Sequence, residues 1–362
     1  MHPSLKKKGG GMKVALICSR ARGIRLLTIL ILLVLPACSP GTGSTDAPAP
    51  VDLQSGVADD RVRMIPVETP KGTFQVWTRK VGESPTMKVL LLHGGPGVTH
   101  EYLESLADFL PAAGIEIYFY DQLGSYSSDQ PDEPDLWQIP RFVNEVEQVR
   151  HALGLGPDNF YLYGHSWGGI LAMEYALAHG DNLKGLIVSN MMASIPLYNR
   201  YAEDVLMPQM NPEALAEIKA IEAAEDYANP RYMELLMEHH YVHHFLRKPT
   251  DQWPDGVNRA FEHINPNVYV LMQGPSELGA SGRLLEWDRT GDLSQIEAPT
   301  LVIGATYDTM DPEHTEWMAN EFPNGRFLLC PNGSHVAHYD DQEIYMEGLI
   351  RFIQEVDGQG VR

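Results

Sequence analysis

The sequence predicts an α/β protein with a mostly parallel sheet, covered by helices on both faces and interrupted by a helical insertion. Three observations predict this class. Short apolar runs alternate with segments of helical periodicity. Several runs, such as residues 87–92, are continuously apolar, as is typical of strands buried on both faces. Finally, the alternation stops between about residues 191 and 290, which divides the folded part into core (61–190), helical cap (191–290) and core again (291–362).

The individual elements follow in order. Strand-like runs cover residues 63–68, 74–81, 87–92, 114–120, 160–163, 183–190, 300–305 and 326–330. Residues 141–155 repeat apolar side chains at helical spacing, and residues 343–356 predict an amphipathic closing helix. Within the cap, Asn211 and Asn229 each precede a proline, which is the pattern of a capping residue before the first helical position. They predict helices over residues 214–227 and 231–246.

Composition indicates a globular protein with a substantial core. Of 362 residues, 44% are hydrophobic and 21% are charged. Segment 1–37 contains seven basic residues. Without it, the chain has 27 − 7 = 20 basic and 48 acidic residues, a net charge of −28. Such a surface repels nucleic acid and anionic lipid head groups, so no nucleic-acid partner is expected. Three cysteines give no disulfide framework, and Cys330, in an apolar run, is predicted to be buried. The oligomeric state is left open.

The N-terminal segment predicts export. Residues 1–37 contain no acidic residue and end in the apolar run 26–37, which is too short for a comfortable membrane span. Cys38 follows at once, and a Gly, Ser, Thr and Pro-rich tether continues to residue 60. This arrangement resembles a bacterial lipoprotein signal, so we expect a signal peptide (1–37), a lipidated Cys38 and a protein anchored in the cell envelope on the periplasmic side. Since Pro36 is an unusual neighbour for that cleavage, plain secretion and an uncleaved anchor stay open.

A serine lies in a glycine-rich turn between a predicted strand and a predicted helix. Residues 164–168 read Gly-His-Ser-Trp-Gly. A strand, Gly-x-Ser-x-Gly and a helix form a nucleophile elbow, whose sharp turn exposes the serine above the sheet. Glycines at 164 and 168 remove β-carbons that would collide with the neighbouring strand and helix. Ser166 is therefore the predicted nucleophile.

A serine nucleophile needs a base and an acid that orients the base, and in this architecture the chain order is serine, acid, histidine. Asp308 and His335 each lie just past a predicted strand, at the edge where open α/β sheets place their sites. They are the predicted partners. Asp311 competes for the acid, but it precedes Pro312 and is expected to cap a helix. His338 competes for the base from a position closer to the final helix.

The loop after the third predicted strand is expected to supply an oxyanion hole. It reads Leu-His-Gly-Gly-Pro-Gly over residues 92–97. Consecutive glycines, Gly94 and Gly95, let the backbone approach a substrate carbonyl closely, and the backbone N–H of Trp167 is the expected second donor.

Three motifs carry a resemblance to a known family. HGGPG at 93–97, DQLGSYSS at 121–128 and GHSWGG at 164–169 resemble those of the proline iminopeptidases, α/β-hydrolases that release N-terminal residues from peptides. Within that family the resemblance is strongest to the tricorn-interacting aminopeptidases. It extends from about residue 65 to the C-terminus, the cap included. The resemblance implies an α/β-hydrolase fold with a helical cap, and a structural supporting role for the loop at Asp121 and Gln122.

The resemblance also assigns roles. It implies a triad of Ser166, Asp308 and His335, with Gly95 and Trp167 supplying the oxyanion N–H groups. No cofactor is implied.

Recognition of the substrate amine is the second implication. Glu277, in Gly-Pro-Ser-Glu, matches the glutamate with which the family binds the α-ammonium group, a charge-assisted contact in a partly dry cleft. An exposed loop acid is the alternative interpretation. Some relatives carry a second glutamate after the triad aspartate, where this chain has Thr309. Amine recognition is then expected to be weaker unless Asp311 or Glu286 compensates. Gly94 is expected to line the substrate site.

The sequence thus predicts a serine hydrolase, with an aminopeptidase acting on short peptides or amino-acyl amides as the leading interpretation. An esterase, lactonase or amino-acid amidase on the same triad is the alternative, and a non-catalytic binding lipoprotein is the alternative from another class. Histidines at 239, 240, 243 and 244 are spaced as zinc-chelating pairs, but no acid or cysteine completes a site, so no metal is expected.

Overall fold

One eight-stranded sheet runs through residues 61–359, which are the residues that the computed structural model describes. The predicted signal peptide, Cys38 and the tether lie outside them. The strands are β1 Val62–Thr69, β2 Gly72–Val81, β3 Lys88–Leu92, β4 Glu116–Asp121, β5 Phe160–His165, β6 Gly185–Ser189, β7 Thr300–Ala305 and β8 Gly325–Cys330. Their order is β1-β2-β4-β3-β5-β6-β7-β8. The strand β2 is antiparallel to both of its neighbours, β1 and β4, and the other pairs are parallel. The predicted α/β fold with a mostly parallel sheet is confirmed.

Among the described residues, α-helices pack on both faces of the sheet and also fill the segment between β6 and β7. They are α1 Ile139–Leu153, α2 Trp167–His179, α3 Ile195–Tyr201, α4 Pro212–Ala223, α5 Pro230–Leu236, α6 Val242–His244, α7 Asp255–Glu262, α8 Pro266–Met272, α9 Pro312–Glu321, α10 Ala337–Asp340 and α11 Gln342–Gln359. A 3₁₀ helix, His100–Asp108, follows β3, and two π-helical turns, Ala202–Leu206 and Met237–Tyr241, lie in the cap. Within residues 61–359, no helix combines the length and apolarity that a bilayer crossing requires.

Successive side chains of the central strands point into two separate apolar cores. In β3, Leu90 and Leu92 pack with side chains of α1 and α2, whereas Val89 and Leu91 pack with side chains of α11 and the cap. All four are buried. Burial on both faces explains why these strands are continuously apolar in sequence, since neither face meets water.

The segment between β6 and β7 forms the cap, α3 to α8. Asn211 and Asn229 cap α4 and α5 as predicted, each side chain accepting backbone N–H bonds of the first turn. The two ends of the cap pair with each other, because Ser194 and Asp288 form an isolated antiparallel bridge. Backbone bonds on either side reinforce it, from Ile195 N to Trp287 O (2.9 Å) and from Arg289 N to Ala193 O (2.8 Å).

Two cap helices are shorter than predicted. The helix expected over 214–227 ends at Ala223, because Glu225 turns the chain into the left-handed region at φ 53°. The helix expected over 231–246 is broken after Leu236 by the π-helical turn, in which the adjacent His240 and Tyr241 are both buried. Cys330 ends β8 and is fully buried, as predicted.

Candidate active site

The turn between β5 and α2 holds Ser166 in a backbone conformation that is rare for a non-glycine residue, φ 55° and ψ −126°. A β-carbon on Gly164 would lie 2.0 Å from the carbonyl oxygen of Gly168, and one on Gly168 would lie 2.2 Å from the carbonyl oxygen of Leu92 in β3. Both glycines are therefore required by close backbone packing. The serine is nearly buried but borders a cavity.

Asp308 and His335, distant in sequence, are in direct contact. The loops after β7 and β8 bring Oδ1 of Asp308 to 2.7 Å from Nδ1 of His335, and both side chains are buried. Nδ1 faces the carboxylate, which leaves Nε2 of His335 as the nitrogen for the cavity that it shares with Ser166. Among the described residues, no hydrogen bond joins Ser166 Oγ to that nitrogen. Catalytic contacts of this kind are often long without substrate and tighten when it binds.

The Asp308 carboxylate shifts the pKa of His335 upward. Burial alone would lower the pKa of His335, but the charge and hydrogen bond of the Asp308 carboxylate outweigh it and raise that pKa above its ordinary value of 6.5. The more distant Glu277 carboxylate adds to the rise. A carboxylate therefore stabilises the imidazolium that a general base becomes.

Asp311 and His338, the other candidates for the acid and the base, have different contacts from Asp308 and His335. Asp311 caps α9, accepting the backbone N–H of Glu313 at 2.9 Å, as expected. His338 is fully buried, and its Nε2 donates to the carbonyl oxygen of Tyr102 at 3.0 Å. Burial lowers its pKa to about 4, so His338 is a neutral packing residue.

The predicted oxyanion loop lies against the serine. A β-carbon on Gly94 would come within 2.8 Å of Cβ of Ser166, and one on Gly95, at φ 37°, within 2.6 Å of a methyl group of Val98. Gly94, Gly95 and Ser166 line the same cavity. The absence of side chains thus lets this backbone approach a group bound at the serine.

Trp167 begins α2 with its backbone at the elbow, and its side chain is held from behind. Its indole Nε1 donates to Oε1 of Gln122 at 2.9 Å, and Nε2 of Gln122 donates to the carbonyl oxygen of His93 at 3.2 Å. Asp121 accepts bonds from both the backbone N–H and Nδ1 of His100, each at 2.8 Å. The loop at 121–122 therefore fixes both the elbow and the glycine loop.

A buried chain of hydrogen bonds links the glycine loop to the histidine loop. The N–H of Gly94 donates to the hydroxyl of Tyr102, which donates to Nδ1 of His165 at 2.9 Å. Nε2 of His165 donates to the carbonyl oxygen of His335 at 2.7 Å. Burial lowers the pKa of His165 well below 6.5, so it is neutral and can accept at one nitrogen and donate at the other.

The cavity above the serine has a volume of about 330 Å³, and most of the Phe and Tyr rings that line it are supplied by the cap. Its rings belong to Tyr102, Tyr227, Tyr232, Tyr241, Phe245, Phe261 and Tyr269. Among the described residues that line it, Glu277 is the one carboxylate, and no lysine or arginine joins it. The hydroxyl of Tyr269 donates to Oε1 of Glu277 at 2.5 Å, which leaves Oε2 for a further partner.

Glu277 is held firmly by its backbone. Its carbonyl oxygen accepts bonds from the hydroxyl of Tyr198 at 2.7 Å and from Nε2 of His240 at 3.2 Å, and its N–H donates to the hydroxyl of Tyr241 at 3.2 Å. The side chain is half-buried at the cavity wall. These backbone bonds and the bond from Tyr269 fix the orientation of the Glu277 carboxylate.

Neither of the two acids considered as compensation for Thr309 lines the cavity. Asp311 is engaged in its cap, and Glu286 is exposed and does not line the cavity. Thr309 itself is fully buried, with its hydroxyl 3.1 Å from Nδ1 of His335 and 3.3 Å from Oδ1 of Asp308. Both compensation candidates are wrong because neither side chain reaches the cavity.

The histidines at 239, 240, 243 and 244 do not form a metal site with other described residues, and the contacts of His244 connect the cap to the core. Within residues 61–359, no three histidine, cysteine or acidic side chains are grouped closely enough to hold a metal ion. Burial lowers the pKa of His240 to about 3, and Nδ1 of His244 lies 3.1 Å from the carbonyl oxygen of Tyr307.

Sequence reasoning missed Asn190, Tyr102 and Tyr269. Asn190 donates from Nδ2 to Oδ2 of Asp308 at 2.7 Å. It ends the run predicted as the strand 183–190, so the rule that sites lie at carboxyl ends of parallel strands could have found it. No comparable signal marks the two tyrosines, because their contacts depend on how the cap and the 3₁₀ helix pack.

Comparisons with known proteins agree with this geometry. A sequence model of the family described as alpha/beta hydrolase fold matches residues 88–342. The chain is 56% identical to a proline iminopeptidase of Flavobacterium johnsoniae over 298 residues, 82% of this chain and 100% of the relative. It is 58% identical to one of Elizabethkingia meningoseptica over 81% of this chain and 98% of the relative. The crystal structure of a proline iminopeptidase of Mycobacterium smegmatis superposes with a TM-score of 0.72 at 28% identity, covering 83% of this chain and 99% of the other.

Proposed function

The chain belongs to the proline iminopeptidase family of α/β-hydrolases, and on that premise we propose that it is a serine aminopeptidase that removes one N-terminal residue, proline included, from short peptides or amino-acyl amides. The predicted hydrolase class is confirmed by the relatives. The observation that carries the proposal is that Glu277, an isolated and oriented carboxylate, shares a small cavity with Ser166 and His335.

The proposed chemistry is acyl transfer through Ser166. Its Oγ attacks the carbonyl carbon of the first residue while Nε2 of His335 takes the hydroxyl proton, and Asp308 stabilises the resulting imidazolium. The backbone N–H groups of Gly95 and Trp167 receive the oxyanion. The C–N bond then breaks, the departing amine takes the proton from His335, and an acyl-serine remains. Water, deprotonated by His335, attacks the acyl-serine and releases the free amino acid with regeneration of the Ser166 hydroxyl.

Substrate selection follows from charge and size. A protonated α-amine can bind Oε2 of Glu277, because Oε1 is occupied by the Tyr269 hydroxyl. An ammonium group placed there lies among aromatic faces, which attract cations as well. A cavity of about 330 Å³ is at the lower end of ligand sites, so it suits one residue at a time. Both features favour cleavage after the first residue of a chain.

The experiment that tests this function uses a panel of amino-acyl anilides, including prolyl anilide, with short-chain esters and lactones as the competing class. We expect the amino-acyl anilides to be hydrolysed with the highest kcat/KM. Equal or better turnover of esters or lactones without an amine would refute the aminopeptidase and favour the alternative hydrolases. A fluorophosphonate probe should label the parent protein and leave Ser166→Ala unlabelled; an unlabelled parent would refute the serine mechanism.

We also propose that the protein is exported and anchored by a lipid on Cys38. The support is in the sequence: a basic flank, the apolar run 26–37, and a cysteine followed by a flexible tether. When the full chain is expressed in a bacterium with lipoprotein export, we expect it in the membrane fraction with a mass increased by acyl chains. Cys38→Ala should release it in soluble form. Recovery of an unmodified parent from the soluble periplasmic or secreted fraction would refute the anchor.

A further inference from the structure

A directed chain of hydrogen bonds runs behind the Asp308–His335 pair. The hydroxyls of Tyr163 and Tyr345 lie 2.6 Å apart, that of Tyr345 lies 2.7 Å from Ser189 Oγ, and Ser189 Oγ lies 2.7 Å from Oδ1 of Asn190. Nδ2 of Asn190 then lies 2.7 Å from Oδ2 of Asp308. All five side chains are buried.

The chemistry of the groups fixes the direction of this chain. Nδ2 of Asn190 faces two acceptors, the Asp308 carboxylate and the carbonyl oxygen of Ser334 at 3.2 Å, so the amide must place its NH₂ there. Its oxygen then accepts from Ser189, whose hydroxyl in turn accepts from Tyr345. Burial raises the pKa of Tyr163 to about 12 and that of Tyr345 well above 10, so both phenols keep their protons. Every donor therefore points toward Asp308, an alignment in which the bonds polarise one another.

We propose that Asn190 is a positioning residue of the reaction: its amide, oriented by Ser189, Tyr345 and Tyr163, holds the Asp308 carboxylate in the rotamer that faces His335. The proposal rests on the proposed function above. Oδ1 of Asp308 is shared among His335, the N–H of Met310 and the Thr309 hydroxyl, whereas Asn190 is the hydrogen-bond donor to Oδ2 among the described residues. Without that donor, a buried carboxylate oxygen loses its partner and the group is free to turn.

The backbone of Asn190 provides a test variant. Asn190 lies at φ 53°, a conformation that glycine adopts without strain, so Asn190→Gly removes the amide and keeps the backbone. Asn190 does not line the substrate cavity. We therefore expect kcat for prolyl anilide to fall roughly 10- to 100-fold, as for loss of a hydrogen bond to a charged group, with KM little changed.

A second variant gives a signature that a merely structural role would not produce. In Asn190→Asp, the new carboxyl can donate to Asp308 only while protonated, and burial beside a like charge favours that form. The ratio of its kcat/KM to that of the parent should therefore decline as pH rises. Besides Tyr163 and Tyr345 of the chain itself, the titratable groups whose charges interact with Asp308 or His335 are His165, His240, His244, His338, Glu277, Tyr198, Tyr201 and Cys330. Because all of them are also present in the parent, the ratio isolates position 190.

Tyr345→Phe is the matched control, since it breaks the same buried chain two bonds away and leaves the amide on Asp308. We expect it to lower thermal stability but to keep a ratio that does not vary with pH. Parent-like kcat in Asn190→Gly, or a ratio for Asn190→Asp that is constant or rises with pH, would overturn the proposal. So would failure of both variants to fold, since Asn190 would then serve the fold. Hydrolysis of prolyl anilide by the parent, together with its labelling by a fluorophosphonate, separates these outcomes from failure of the proposed function.

Discussion

The carbonyl oxygen of His335 accepts a hydrogen bond from Nε2 of His165, the residue immediately before Ser166, at 2.7 Å. The strand that ends at the serine therefore holds the backbone of the histidine loop directly. Through Tyr102, the same imidazole also reaches the glycine loop at Gly94. Three segments that are far apart in sequence are thus joined by one neutral imidazole.

Tyr102→Phe should loosen this junction. The substitution leaves the Gly94 N–H and Nδ1 of His165 without their partner in the interior. We expect the free energy of unfolding to fall by about 1–3 kcal/mol and kcat to fall more than KM changes. Urea unfolding and steady-state kinetics measure both. Tyr126→Phe, at a ring that is 50% exposed, is the control and should behave as the parent; equal effects in the two variants would contradict the prediction.

The pH dependence of activity follows from the raised pKa of His335. The base must be neutral, so kcat/KM should fall as pH drops through a midpoint that lies above 6.5. In Asp308→Asn, burial outweighs the remaining charges, so the midpoint should move to lower pH while kcat falls on the order of 10⁴-fold. Asp311→Asn, at the cap of α9, should keep the parent midpoint. An unshifted midpoint in Asp308→Asn would show that another group sets it.

Glu277→Gln should separate substrates by their amine. Losing the charge that faces the ammonium group should lower kcat/KM for prolyl anilide roughly 10- to 100-fold. Hydrolysis of an ester of the same size without an amine, measured at a pH well above the pKa of His335, should change by less than about twofold, because the ester has no group that pairs with that charge. Glu286→Gln removes an equal charge from an exposed position outside the cavity and is the control. Equal losses on both substrates would remove Glu277 from amine recognition.

Gly164→Ala should unfold the elbow. Its methyl group would lie 2.0 Å from a backbone oxygen that cannot move away without displacing α2. We expect a loss of about 3 kcal/mol or more in the free energy of unfolding, measured by urea titration. Gly156→Ala, where nothing lies within 4 Å of the new methyl group, should stay within about 0.5 kcal/mol of the parent. Similar stabilities of the two variants would show that the β5–α2 contact is looser than described.

Stability should fall in acid. Burial lowers the pKa of His93, of His165, of His240 to about 3 and of His338 to about 4, from an ordinary 6.5. The unfolded chain therefore binds more protons than the folded one below pH 6.5, and stability is lost progressively toward pH 4. His335 has the opposite sign, since its contribution is present below pH 6.5 and is lost above its raised pKa. Urea midpoints at pH 7 and pH 5 measure the balance; equal midpoints would contradict it.

The fold could be predicted from the sequence because the patterns that indicate its strands and turns are local. Uninterrupted apolar runs marked the buried strands, and Gly164 and Gly168 marked a turn that permits no side chain. Contacts that depend on packing left no such mark. The π-helical turn at 237–241 lies inside an apolar periodicity that continues through it. Asn190 is marked only by its place at the carboxyl end of a strand, and its partners Asp308 and Ser334 come from the loops after β7 and β8, far away along the chain.

The bridge between Ser194 and Asp288 closes the cap at its base. The chain between these two residues, which includes Glu277 and the aromatic residues that the cap contributes to the cavity, leaves the core and returns to it at this bridge, the neck of the cap. The nucleophile and its partners belong to stretches outside that neck. The carboxylate that selects the substrate and the residues that carry out the reaction therefore lie in separate stretches of the chain. The cap can change in evolution without changes to the catalytic residues.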